Sequence, residues 1–226
     1  MTRYLLVIIL VMISAGNLSA DPLLVAVRSL DIKMFNEVLN NQPAINATDS
    51  AGMTALHHAC SLGAVEMVEA LLKHGADPKL CSNDGRNALH HAVSIPALCF
   101  SQSSSQGAVT ICPLTIPLLL ASASLDINAV DATGETALHI ASRNGLVGVI
   151  ASLLQAGANP DCINRNGETP LHLVGGSMPH LAAQVLLVNG AKANLTRNDG
   201  ALPVDLAASA SNALLVNMIK RYESER

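Results

Sequence analysis

Tryptophan is absent from the 226 residues, and Phe and Tyr contribute only two each. So small a supply of aromatics argues against a β-sandwich core and leaves Ala and Leu to fill the interior, which suits closely packed helices. Charged side chains are scarce at 13%, yet half of the residues are apolar, which excludes a disordered chain. Thirteen basic side chains face 17 acidic ones, and a net charge of −4 gives no electrostatic footprint for nucleic acid or an anionic membrane surface. There is no CxxC and no Cys/His set with the spacing of a zinc site. There is no phosphate-binding P-loop and no GxGxxG, and Gly175-Gly176-Ser177 lacks the flanks of a nucleophile elbow. The remaining carboxylates are scattered, mostly in turns and caps. No catalytic residue, metal or cofactor is therefore assigned, and the chain is read as a non-enzyme.

What is present begins with a short basic start, Met1-Thr2-Arg3, and an apolar run from Tyr4 to Ile13. Ten residues are too few to span a bilayer, which needs about 20. Leu18-Ser19-Ala20 then offers a small residue ahead of Asp21-Pro22. This pattern predicts a secretory signal peptide over 1–20, cleaved after Ala20, and an exported protein, periplasmic or secreted, with no membrane insertion after cleavage. Export would place the five cysteines in an oxidising compartment, where their odd number leaves at least one unpaired within the chain.

The rest of the chain repeats itself. Thr54-Ala-Leu-His-His-Ala59 returns as Asn87-Ala-Leu-His-His-Ala92, Thr136-Ala-Leu-His-Ile-Ala141 and Thr169-Pro-Leu-His-Leu-Val174, at steps of 33, 49 and 33 residues. A second phrase keeps the same beat: Leu71-Leu72 before Gly75-Ala76, Leu153-Leu154 before Gly157-Ala158, and Leu186-Leu187 before Gly190-Ala191. A third, such as Asp131-Ala-Thr-Gly134, precedes each start. Thr suits a helix N-cap, and the Pro or Ala after it suits the first helical position. Leu56, Leu89, Leu138 and Leu171 then fall on the buried face, and Ala59, Ala92 and Ala141 let neighbouring helices approach. One such unit cannot bury its own face, so units must stack.

These phrases resemble the ankyrin repeat over essentially all of residues 21–226. The resemblance implies an all-α ankyrin-repeat solenoid of stacked helix–turn–helix units joined by β-turn loops. The expected units are 21–50 as a degenerate N-cap, 51–83, 84–132, 133–165, 166–198, and 199–226 as a C-cap. The resemblance gives His57, His90, His139 and His172 a structural role, hydrogen bonding between neighbouring repeats. It implies a non-enzymatic protein-binding module whose partner, another protein, meets the turn tips and the far ends of the first helices. At the tips the candidates are Ser50, Met53, Asp84 and Arg86, then Thr133, Glu135, Asn166, Glu168 and Asp199. At the helix ends they are Ser61, Leu62, Arg143 and Asn144. Alternative readings are an inhibitor or immunity-type protein that neutralises one toxin or enzyme, and a secreted effector. The chain is expected to be monomeric. Two sequons, Asn46-Ala-Thr48 and Asn194-Leu-Thr196, fall where the resembled family often carries a structural Asn.

Three features depart from the regular pattern. His58 and His91 occupy a position filled by Ile140 and Leu173 in the later units. They form a candidate pH-sensitive pair, because imidazole titrates near neutrality. In the fifth unit Val174-Gly-Gly-Ser-Met-Pro179 replaces the usual helix end. Two glycines weaken a helix by about 1 kcal/mol each relative to Ala, so a loosened first helix and a local bend are expected there. Finally, the 49-residue step places 16 extra residues in the third unit, at about 95–113. Cys99 and Cys112 bracket this serine-rich insertion and are the candidate disulfide, worth about 3 kcal/mol for a loop of about 14 residues in the chain-entropy model.

Overall fold

The computed structural model describes residues 21–41, 43–94, 115–121, 125–176, 178–210 and 212–224. The expected signal peptide and the insertion at 95–113, with Cys99 and Cys112, lie outside these residues. Eleven helices form among the described residues. The first unit holds α1 (Pro22–Arg28) and α2 (Ile32–Asn40), and the second holds α3 (Ala55–Ser61) and α4 (Val65–Lys73). The third holds α5 (Ala88–Val93) and α6 (Thr115–Leu120), and the fourth α7 (Ala137–Arg143) and α8 (Val147–Gln155). The fifth contributes only α9 (Pro179–Val188), and the last holds α10 (Pro203–Ser209) and α11 (Ala213–Ser224). A single antiparallel bridge, Thr48 to Thr54, is the extent of β pairing among the described residues.

The helices begin where side chains can satisfy their free amides. Thr54 accepts from the His57 amide, and Thr136 from that of His139. Asp21 and Asp31 cap α1 and α2, and in the third unit Asn87 does the same for α5. Between the two helices of a unit the chain reverses through a left-handed residue. This is Gly63 or Gly145 in the second and fourth units, but Leu30, at φ 55°, in the first. A leucine there carries about 1 kcal/mol or more of backbone strain and leaves its side chain 53% exposed.

First helices pack in one row, α1 on α3, α3 on α5 and α5 on α7; second helices form the other, with α4 on α6, α8 on α9 and α9 on α11. The core runs continuously between the rows. Leu56, Leu89, Leu138 and Leu171 are at most 2% exposed, and Ala59, Ala92 and Ala141 are fully buried. Each such leucine contributes about 1.5–3 kcal/mol by leaving water. Across the second-helix ends, side chains join consecutive units: Asn46 accepts from the Asp77 amide, Asn128 from Asn159 and Asp161 from Lys192. Asn46, the first sequon asparagine, thus has a structural bond. Helix α5 ends at Val93 and α6 starts at Thr115, and the expected insertion at 95–113 falls between these two positions in the sequence.

The fifth unit corrects the expectation of a loosened helix: its first helix is replaced by turns over 170–173. The glycines serve a close approach. The Gly175 amide donates to the Ser142 carbonyl of the unit before, at 3.1 Å. A Cβ on Gly175 would lie 2.6 Å from the Arg143 carbonyl oxygen, and one on Gly176 would lie 2.6 Å from that of Asn144. Gly176 also takes φ 76°. Helical residues with side chains cannot bring the two backbones this near, so the helix gives way to a turn.

Gly176 and Gly190 separate strain from crowding, since Gly190 has φ 98° but nothing within 4 Å of the point where a Cβ would stand. Gly190→Ala should cost about 1–2 kcal/mol from its backbone alone. Gly176→Ala should cost about 1–3 kcal/mol more, because the fourth unit's backbone must move. Urea denaturation midpoints of the two variants compare them directly.

Candidate binding face

Four buried imidazoles set the spacing of the turns. Each accepts at Nδ1 from the backbone amide of its own helix cap: Thr54 to His57 at 2.9 Å, Asn87 to His90 at 3.3 Å, and Thr136 to His139 and Thr169 to His172 at 3.1 Å. Each reaches a carbonyl of the following turn with Nε2. His57 meets Leu80 at 2.8 Å, His90 meets Glu135 at 3.1 Å, His139 meets Glu168 at 3.0 Å and His172 meets Ala201 at 3.2 Å. At His57, His139 and His172 this geometry fits a neutral ring with its proton on Nε2; at His90 the Nδ1 also stands 2.7 Å from Asn87 Oδ1, itself an acceptor. Burial holds all four below the ordinary imidazole range, which keeps them neutral.

The turns are then joined to one another by backbone bonds. Asn83 donates to the Ala51 carbonyl at 2.9 Å, Ala132 to Asp84 at 2.9 Å, Arg165 to Thr133 at 3.1 Å and Asn198 to Asn166 at 3.0 Å. The result is a ladder of five tips along one edge of the stack. Charges near the tips are largely neutralised within the chain. Arg86 Nε lies 3.2 Å from Asp131. Arg143 grips Glu135 with both terminal nitrogens, Nη1 donating to Oε2 at 2.7 Å. Arg197 pairs with Asp199 at 2.5 Å and with Glu168 at 3.5 Å.

Of the expected contact residues, Ser50, Asp84, Thr133, Asn166 and Asp199 are exposed along the tips, and Leu62, Arg143 and Asn144 are exposed at the helix ends. Met53, Ser61, Arg86 and Glu168 are half-buried. Glu135 is only 7% exposed, and both its oxygens are held by Arg143, so it braces Arg143 and leaves little surface to a partner.

One row of exposed side chains is missing from that set. Six residues before each cap stand Thr48, Cys81, Val130, Ile163 and Thr196, all exposed, Val130 at 54% and Ile163 at 62%. They cross five units in the same register, about 40 Å at about 10 Å per unit, without one charge. A period-2 reading of the turn would have found them. The next residue, Asp49, Ser82, Asp131, Asn164 or Arg197, bonds within its turn, so its predecessor points the other way.

The two unusual histidines do not form one pair. His58 Nε2 meets Asp49 Oδ2 at 2.8 Å, and His91 Nε2 meets Ser82 Oγ at 3.2 Å. Each joins a first helix to the turn that leads into it. The ring against His91 is that of His57, edge to face at 5.1 Å between centroids. Burial, and next His57, push the His91 imidazole down to about 4. Cys60 is buried, and burial pushes its thiol up; Cys60, Cys81 and Cys162 are free. Among the described residues no group of three or more His, Cys, Asp or Glu side chains is placed to hold a metal ion, and no helix is long and apolar enough to cross a membrane.

The Glu135 carboxyl is held below its ordinary 4.5 by the Arg143 hydrogen bonds, against burial. Its contribution is therefore present above about pH 4.5 and lost as the pH falls through the lower folded value. Glu135→Gln should lose about 1–2 kcal/mol at pH 7, and the difference from the parent should shrink below about pH 4. Denaturation curves across that range test it.

Comparison with known proteins places these features in a family. The description "Ankyrin repeats (3 copies)" matches residues 23–97 and 108–197. Neurogenic locus notch homolog protein 1 of Xenopus tropicalis is 35% identical over 137 residues, 53% of this chain and 5% of that protein. Its Danio rerio counterpart is 32% identical over 161 residues, 71% of this chain and 6% of that protein. The chain thus matches only a small part of these relatives' length. Among solved structures, the ankyrin repeat protein EF0377 superposes with a TM-score of 0.75 at 23% identity, covering 89% of this chain and 97% of its own. The ankyrin repeat domain ABAYE2397 of Acinetobacter baumannii AYE gives 0.73 at 25% identity, with the same coverage.

Proposed function

The chain belongs to the ankyrin-repeat family, whose fold is in general a scaffold for protein–protein interaction, and from that premise we propose that it is a non-enzymatic module gripping another protein with its turn face in an exported compartment. The observation that carries the reading is the row Thr48, Cys81, Val130, Ile163 and Thr196, exposed beside tips most of whose charges are paired. Four of the five, Thr48, Val130, Ile163 and Thr196, are β-branched and stiff, and Val130 and Ile163 give the row an apolar centre whose contact costs little side-chain entropy. Paired charges lend the face no strong field, so the partner is recognised by shape and apolar contact more than by charge. Export is supported by the basic start, apolar run and small residues of the first 20 positions.

Affinity capture from the native source tests this, with the parent chain beside a Val130→Lys/Ile163→Lys variant. Both side chains are exposed, so the variant should melt like the parent within about 0.5 kcal/mol. It should lose the retained partner, and equal retention by both chains would show that the row is not the contact. Binding by the parent should change little between about 0.05 and 0.5 M salt.

The exported compartment carries a second expectation. A bridge between Cys99 and Cys112 would leave three reactive thiols, those of Cys60, Cys81 and Cys162, in the denatured, unreduced mature chain. Thiol counting by mass spectrometry reads this, and five reactive thiols would eliminate the bridge.

A further inference from the structure

We propose that the seam between the second and third units is an acid-labile joint, at which protonation of His91 breaks its contact with His57 and parts α3 from α5. The seam differs from the later ones in chemistry. Where His91 packs, the fourth and fifth units carry Ile140 and Leu173. His57 also ties α3, through the Leu80 carbonyl, to the turn that leads into α5, so a disturbance at His91 falls on a ring already engaged beside the seam.

A comparison within the chain shows why His91 has no place for a charge. His58 stands at the same register in the second unit and meets the Asp49 carboxylate at 2.8 Å. In the turn that leads into α5 the corresponding residue is Ser82, so His91 meets a hydroxyl at 3.2 Å. That hydroxyl spends its one proton on Asp84 Oδ1, at 2.5 Å, or the Arg86 carbonyl, at 2.9 Å, so its oxygen serves one ring N–H, that of Nε2. A protonated ring must donate from both nitrogens, and Ser82 is its hydrogen-bond partner among the described residues.

The groups around His91 oppose the proton on balance. His57, on α3, faces it directly, with His58 and Asp49 behind. From its own turn come Asp84, which favours the charge, and Arg86, which opposes it; from its own helix comes His90, which also opposes it. Helix α6 carries no titratable group, and on α7 Arg143 is engaged with Glu135 while His139 is tied to the Glu168 carbonyl. Burial is the largest influence and holds the folded ring at about 4. An opened His91 returns toward 6.5. The open form therefore binds more protons between these values, and the seam is secure above about pH 6.5 and weakens progressively as the pH falls toward 4.

Hydrogen exchange read by mass spectrometry on the full chain at pH 7.0 and pH 4.5 tests the joint, after correction for intrinsic rates. Segments 55–61 and 88–93 should exchange about tenfold faster at the lower pH, relative to segment 137–143, whose seam has a single buried imidazole. His91→Leu should remove the excess. Ser82→Asp, which restores the carboxylate found at Asp49 and Asp131, should remove it while leaving the imidazole in place. Equal acid dependence at both seams, or an unchanged excess in Ser82→Asp, would overturn the proposal. So would an NMR titration of the parent chain in which His91 protonates at or above 6.5 without disturbing α3 and α5.

Discussion

The stack depends on a neutral imidazole held between two repeats. One ring satisfies a helix-cap amide behind it and a turn carbonyl ahead of it, both buried groups that would otherwise cost about 1–3 kcal/mol each to leave unpaired. At His90, His139 and His172 the two bonds point into different units, so the ring couples local folding to assembly. The helix cap is completed by a residue whose other end needs the neighbour. That is a physical basis for cooperativity in a molecule whose units touch only those beside them. It also explains why His57, His90, His139 and His172 are poor candidates for chemistry, since both nitrogens of each are already engaged.

Much of this is legible in the sequence. The spacing of Thr54, Asn87, Thr136 and Thr169 locates the first helices of three units, and the leucine pairs locate second helices of three. The fifth unit is less legible. Two glycines signal a weak helix, but helix propensity is a local quantity, and the determining fact is a contact with Ser142, Arg143 and Asn144 in another unit. Leu30 shows the opposite case: an ordinary leucine in sequence, it sits in a backbone region that its counterparts enter as glycine.

The face is legible in outline and not in detail. Counting positions from the cap identifies which residues lie near the tips but not which of them are already engaged. Glu135 and Arg143 both count as surface positions, yet their mutual grip buries the carboxylate and leaves the guanidinium partly exposed. The row through Val130 and Ile163 escapes such counting because its members share no residue type, only an alternation within each turn. His58 and His91 look alike in sequence and differ in structure through a third residue, Asp49 in one case and Ser82 in the other.

The glycine seam between the fourth and fifth units also bears on how such a chain can change its length. Elsewhere a unit could be duplicated or removed, because each presents helices of similar outline to the next. The backbones around Gly145, Gly175 and Gly176 fit only each other. A copy of the fourth unit inserted there would set ordinary helical side chains against a surface with no room for a methyl group. The fourth and fifth units are therefore a matched pair, and a repeat inserted between them meets a backbone contact that a side chain cannot reproduce.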